Sequence, residues 1–179
     1  MVDILQNFFG LGALVFGIFA YQSNKHRNIL IAKVFAELFF AFQYFLLGAY
    51  SGTFMNFIGV TRNLTLCRKI SKRMQIAATS FFLVLILSVS ALSWQGPITL
   101  LAMFGKSCTT ISYSFKNPKL LRYFTVPSCV AWFVYDLLTG SVAGMIYESL
   151  GLVSIIIASI RFRKTKFIQE DQRDESNAR

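Results

Sequence analysis

Seven runs of apolar residues divide the chain, at 2–21, 29–47, 50–66, 76–94, 97–115, 122–138 and 142–160. Each is close to the ~20 residues that a helix needs to cross the hydrocarbon core of a bilayer. The fourth, IAATSFFLVLILSVSALSW, holds no charge and is the clearest. The third carries Asn56, Arg62 and Asn63 and is the least apolar. It is kept because without it the basic connections would fall on opposite sides. The pattern predicts an all-α protein of seven transmembrane helices in one membrane domain over 1–164. Several connections are very short, so consecutive helices are antiparallel neighbours. The polar, mixed-charge tail at 165–179 is expected to be disordered and cytoplasmic.

The stretch 47–63, LGAYSGTFMNFIGVTRN, organises the rest. It reads as a tight turn over 47–52 followed by a helix carrying Asn56, Gly59 and Arg62. A fainter copy lies 92 residues on, where Gly140, Gly144, Glu148 and Gly151 match Gly48, Gly52, Asn56 and Gly59. At the same offset Tyr21 meets Tyr113, Arg27 meets Lys119 and Phe40 meets Trp132. Spans one to three thus fall on spans five to seven, as repeats at 2–66 and 97–160 joined by a linker helix at 76–94. One linker helix between two three-helix units leaves them parallel, a plan found in transporters. Gly52 and Gly59 share a helix face, as do Gly144 and Gly151 and also Gly10 and Gly17. Small residues on one face let membrane helices approach closely, so packing is the reading for these glycines.

Composition supports the membrane reading: 55% of the residues are hydrophobic and 15% are charged, against about 45–50% apolar in a soluble domain. The formal net charge of +10 points toward nucleic acid until the charges are placed. Fifteen of the 18 Lys and Arg residues lie in the connections at 22–28, 67–75 and 116–122 and in the tail. The alternate connections near 48–51, 95–96 and 139–141 have none. Basic loops stay in the cytoplasm, so the N-terminus is expected outside and the C-terminus inside. Topology accounts for the charge and no nucleic-acid partner is implied. The N-terminus, MVDILQNFFG, lacks a basic n-region and reads as a first membrane helix, not a signal peptide.

Candidate chemistry lies with the ionisable groups inside the spans, Lys33, Glu37, Arg62, Lys106, Asp136 and Glu148. Such groups are costly in lipid and mark function or internal pairing. By helix rise Glu37 and Arg62 reach a similar depth, about 12 Å, and Lys33 lies one turn from Glu37 on the same face. Lys33, Glu37 and Arg62 are therefore read as a structural ion-pair group. Asn56 and Glu148 occupy equivalent places about 9 Å below the outer surface, and Lys106 starts near mid-depth, within reach of Glu148 or Asp136. Asn56, Lys106, Asp136, Glu148 and Trp132 are the candidates for contact with a solute. No metal site, cofactor or enzymatic constellation is visible. Cys67, Cys108 and Cys129 show no pairing logic, and His26 stands alone in a basic loop.

The segments YQSNKHRNIL, LLGAYSGTFMNFIGVTRN, SWQGPITLL and VYDLLTGSVAGMIYE resemble the YgjV family of bacterial inner-membrane proteins, over most of residues 10–163. The resemblance implies a multi-pass protein of the bacterial inner membrane and assigns no chemistry. The three-one-three plan is similar to that of SWEET sugar transporters and PnuC vitamin transporters, which bind substrate between two three-helix bundles. The chain lacks the Pro-Gln pair of the sugar-transporting pattern. Two readings follow: a transporter or channel for a small polar solute, or a non-transporting membrane partner or structural protein. The oligomeric state is left open.

Overall fold

The structure, a computed structural model, describes residues 2–23, 25–68 and 70–157. These form seven helices: α1 Val2–Gln22, α2 His26–Leu46, α3 Tyr50–Leu66, α4 Lys72–Leu92, α5 Ile98–Tyr113, α6 Pro118–Thr139 and α7 Val142–Ile157. No strand occurs among the described residues. Lys69, the end of the seventh span at 158–160 and the tail at 165–179 lie outside the described residues.

The helices are less uniform than the apolar runs suggest. By length and composition α1, α2 and α4 are long and apolar enough to cross a membrane. The other four are shorter or more polar; α3 and α5 have 17 and 16 residues, roughly 24–26 Å of rise. The difference follows from position. Helices α3, α5, α6 and α7 carry Asn56, Arg62, Lys106, Asp136 and Glu148 into the interior, whereas α1 and α4 turn apolar side chains outward. Phe8, Leu11, Phe81, Val84, Leu87 and Leu92 are exposed while six ionisable side chains are buried. Such an inversion suits a lipid solvent, in which polar groups turn inward.

The turn between α2 and α3 is tighter than the expected 47–52. It closes within residues 47–49, and Gly52 already lies in α3. Gly48 has φ +71, the left-handed region open to glycine, and the Ala49 N–H donates to the Tyr44 carbonyl at 2.9 Å. This is a Schellman closure. The α6–α7 turn is built alike: Gly140 has φ +75 and the Ser141 N–H donates to the Asp136 carbonyl at 2.9 Å. Both glycines, both donors and both acceptors stand 92 residues apart.

Helix α2 lies between α1 and α3, and α5 packs along α6. The two sets meet where α3 packs on α5 and where α7 packs on α1. In the second contact Gly10 faces Ala143, Gly17 faces the Tyr147 ring and Gly151 faces the Tyr21 ring. Helix α4 rides outside α3 and α5 and buries only Phe82, Ile86 and Ser90. The main apolar core, with Phe40, Tyr44, Met55, Trp132 and Tyr135, lies between the sets near the end bearing the two glycine turns. Leu30, Leu66, Tyr113 and Leu121 form a smaller core toward the opposite, basic end.

Candidate functional site

Between the two sets lies a cavity of about 30 Å³, room for about one or two waters. Lys33, Glu37, Asn56, Lys106, Asp136 and Glu148 line it, with the rings of Phe40, Tyr44, Tyr113, Trp132 and Tyr147. The five residues singled out from the sequence for solute contact, Asn56, Lys106, Asp136, Glu148 and Trp132, therefore share one wall with Lys33 and Glu37. A second cavity of about 20 Å³ lies toward the basic end, and Lys33 lines both.

Arg62 stands behind this wall with no exposed surface. Its Nη2 donates to Glu37 Oε1 at 3.0 Å, and its Nη1 donates to Thr109 Oγ1 at 3.1 Å and Thr110 Oγ1 at 2.8 Å. Nε and Nη2 both reach Asn63 Oδ1, at 3.1 and 3.0 Å, and the guanidinium lies 4.8 Å from the Tyr113 ring centroid. A rigid fork held by this many partners is suited to positioning.

Two expected pairings are corrected. Lys33 does not join the Glu37–Arg62 group. Its ammonium donates to the Tyr147 hydroxyl and lies 4.7 and 4.5 Å from the ring centroids of Tyr21 and Tyr147. Nor does Lys106 reach Glu148 or Asp136. Its Nζ lies 3.3 Å from Glu37 Oε1, donates to Asn56 Oδ1 at 3.2 Å and sits 5.3 Å from the Trp132 ring centroid. Gly59 makes this possible. A Cβ there would strike both the Glu37 carboxylate and the Lys106 ammonium, so its absence lets the pair close over the α3 backbone.

Of the two remaining carboxylates, Asp136 and Glu148, the first accepts from the Tyr44 hydroxyl at 2.5 Å. Among the described residues neither has a cation within ion-pair distance. Glu37 Oε2 and Asn63 Nδ2 are buried with no hydrogen-bond partner among the described residues. The Glu37 oxygen leaves an acceptor unused on a residue that lines the cavity.

Several participants escape the sequence reading because tyrosine and glutamine in apolar runs look like filler. Tyr44 and Asp136, which bond each other, stand 92 residues apart, so the offset already joins them. Gln43 and Tyr135 are a further pair at that offset. Gln43 Oε1 accepts from Ser141 Oγ at 3.2 Å, at the head of α7. The Tyr135 hydroxyl accepts from the Gly52 N–H at 2.8 Å and shares a hydrogen bond with Ser51 Oγ at 3.0 Å, in the first turn of α3. Each second helix thus reaches across to the third helix of the other set. Gln95 closes the same end, accepting from the Ser51 N–H at 2.9 Å and donating to the Gly48 carbonyl at 3.0 Å.

Among the described residues no group of three or more His, Cys, Asp or Glu side chains could hold a metal ion. The arrangement can hold a small polar species between opposed charges and aromatic faces. Comparison with curated proteins and with solved structures gives no match. A model of one protein family, described as bacterial inner membrane protein, matches residues 4–166, nearly the whole chain. With its apolar helices, its inverted burial and that match, the chain belongs to the Imp-YgjV family of bacterial inner membrane proteins.

Proposed function

We propose that this inner membrane protein is a transporter or channel for a small polar solute, working by relative movement of two three-helix units. The observation that carries this reading is the central cavity, where polar side chains of both units converge. The units, at 2–66 and 97–160 with α4 as linker, are read as a duplication. The matched Schellman turns and the crossed Gln43 and Tyr135 contacts at an offset of 92 support it. Transporters built from parallel repeats hold substrate at such an interface and alternate access by rocking one unit against the other. The positive loops support a topology with the N-terminus outside and the C-terminus in the cytoplasm.

The charges narrow the solute. With all six ionised, Lys33, Arg62 and Lys106 balance Glu37, Asp136 and Glu148, and in that state a ligand with net charge would leave a buried charge uncompensated. A neutral or zwitterionic solute fits. Its entry requires the units to part, since the cavity holds only about one or two waters. The small, internally bonded cavity also favours a second reading, a non-transporting membrane partner whose charges fix its packing.

Thermal unfolding of the purified protein against a panel of neutral, zwitterionic and charged metabolites separates the two. Transport predicts that a neutral or zwitterionic member raises the melting temperature, that Glu148→Gln abolishes the rise, and that proteoliposomes take up that member. A panel with no shift and no uptake overturns the transport reading.

A further inference from the structure

A groove of about 470 Å³ lies apart from the central cavity, between the first turns of α4 and the end of α5. Lys72 and Lys116 stand on its rim, and Ile76 and Phe115 line it with Thr79 and Ser80. Both lysines are exposed, and among the described residues neither forms an ion pair. Among the described residues no acidic one lines the groove. The connections that bear the lysines, 67–75 and 116–122, hold seven Lys or Arg residues and no Asp or Glu. Much of the lining polarity is already engaged: the Gln75 side chain donates to the Ser114 carbonyl, and Thr79 Oγ1 shares a hydrogen bond with Ser114 Oγ at 2.5 Å. The free recognition chemistry is therefore two ammonium groups above an apolar wall.

We propose that this groove binds an anionic phospholipid, with the phosphate between Lys72 and Lys116 and an acyl chain against Ile76 and the outer face of α4. Charge complementarity selects the headgroup, because each basic residue near an anionic leaflet contributes favourably and basic pockets between membrane helices take acidic headgroups. The surroundings select a lipid over a soluble phosphate. Ile76, Phe81 and Val84 on α4 are all exposed, so the helix beside the groove already presents a hydrocarbon-facing wall. The groove lies at the end of the molecule where the basic connections gather.

Native mass spectrometry of the full chain in detergent tests this, with phosphatidylglycerol and phosphatidylethanolamine of identical acyl chains as probes. Wild type should retain phosphatidylglycerol in preference to phosphatidylethanolamine. Lys72→Gln with Lys116→Gln should weaken that adduct by roughly 30-fold, about fivefold per lysine. The single variants carry the same test should the pair misfold. Lys25→Gln with Arg27→Gln, on another basic connection, should leave the preference intact, and so should Lys72→Arg with Lys116→Arg. Equal binding of the two lipids overturns the proposal, as does an unchanged preference in the Gln pair or an equal loss in the control pair. Displacement of phosphatidylglycerol by excess inorganic phosphate would assign the groove to a soluble anion and overturn the lipid.

Discussion

At the scale of single residues, the interior is governed by how each buried charge is answered. Glu37 Oε1 takes both Arg62 and Lys106, at 3.0 and 3.3 Å. Arg62→Ala leaves a buried carboxylate with one cation and should cost about 3–5 kcal/mol, read as a lower melting temperature in detergent. Glu37→Gln combined with Arg62→Gln should recover part of that loss, and strictly additive losses would show the pair to be uncoupled. Gly59→Ala tests the same junction sterically and should cost about 1–3 kcal/mol, since its methyl meets the ion pair. The sequence makes the charged members of this site visible because ionisable residues in apolar runs stand out. It hides Tyr44, Tyr113 and Tyr147, whose hydroxyls and rings complete the site, because aromatic residues are ordinary in a membrane core. It also misassigns the partners of Lys33 and Lys106. Depth along a helix can be counted from sequence, but the direction in which a long side chain leaves its helix is set by neighbours such as Gly59.

At the scale of elements, the glycine turns decide where helices start. Gly48 and Gly140 both hold positive φ, and an L side chain there is strained by about 1–2 kcal/mol. Gly48→Ala and Gly140→Ala should therefore destabilise by similar amounts, measured by thermal unfolding. No neighbouring atom would obstruct the added methyl at either site, so the loss reports backbone strain alone. A clear inequality would argue that the two turns are not equivalent in solution. The apolar runs locate all seven helices closely, and α3 begins and ends where the run 50–66 does. Turn length is harder to read: the first residues of α3, Tyr50 to Gly52, are as compatible with a turn as with a helix. Their helical state is fixed by Gln95 and Tyr135, which arrive from more than 40 residues away.

At the scale of the molecule, two layers of cross-unit contacts bracket the central cavity. Gln43–Ser141 and Tyr135–Gly52 lie toward the end with the glycine turns, and Arg62 with Thr109 and Thr110 lies toward the basic end. The proposed rocking would break one layer while keeping the other. In a background with Cys67, Cys108 and Cys129 replaced, Gln43→Cys with Ser141→Cys joined by a short thiol cross-linker should abolish uptake, and cleavage of the linker should restore it. Undiminished uptake in the fully cross-linked protein would exclude movement at that end. Reporter fusions test orientation: a cytoplasmic reporter on the C-terminus should be active, and an active periplasmic one there would reject the topology.

The sparse burial of α4 has a consequence for how the chain can be divided. With only Phe82, Ile86 and Ser90 buried, this helix sits at the margin of the core, where it packs on both α3 and α5. The other contacts between the two sets are α3 on α5, α7 on α1, and the hydrogen bonds of Gln43 and Tyr135. Two separately translated fragments, one ending after α3 and one starting at α4, should then meet in the bilayer and complement each other. The folded protein would behave as a heterodimer whose partners happen to be encoded in tandem.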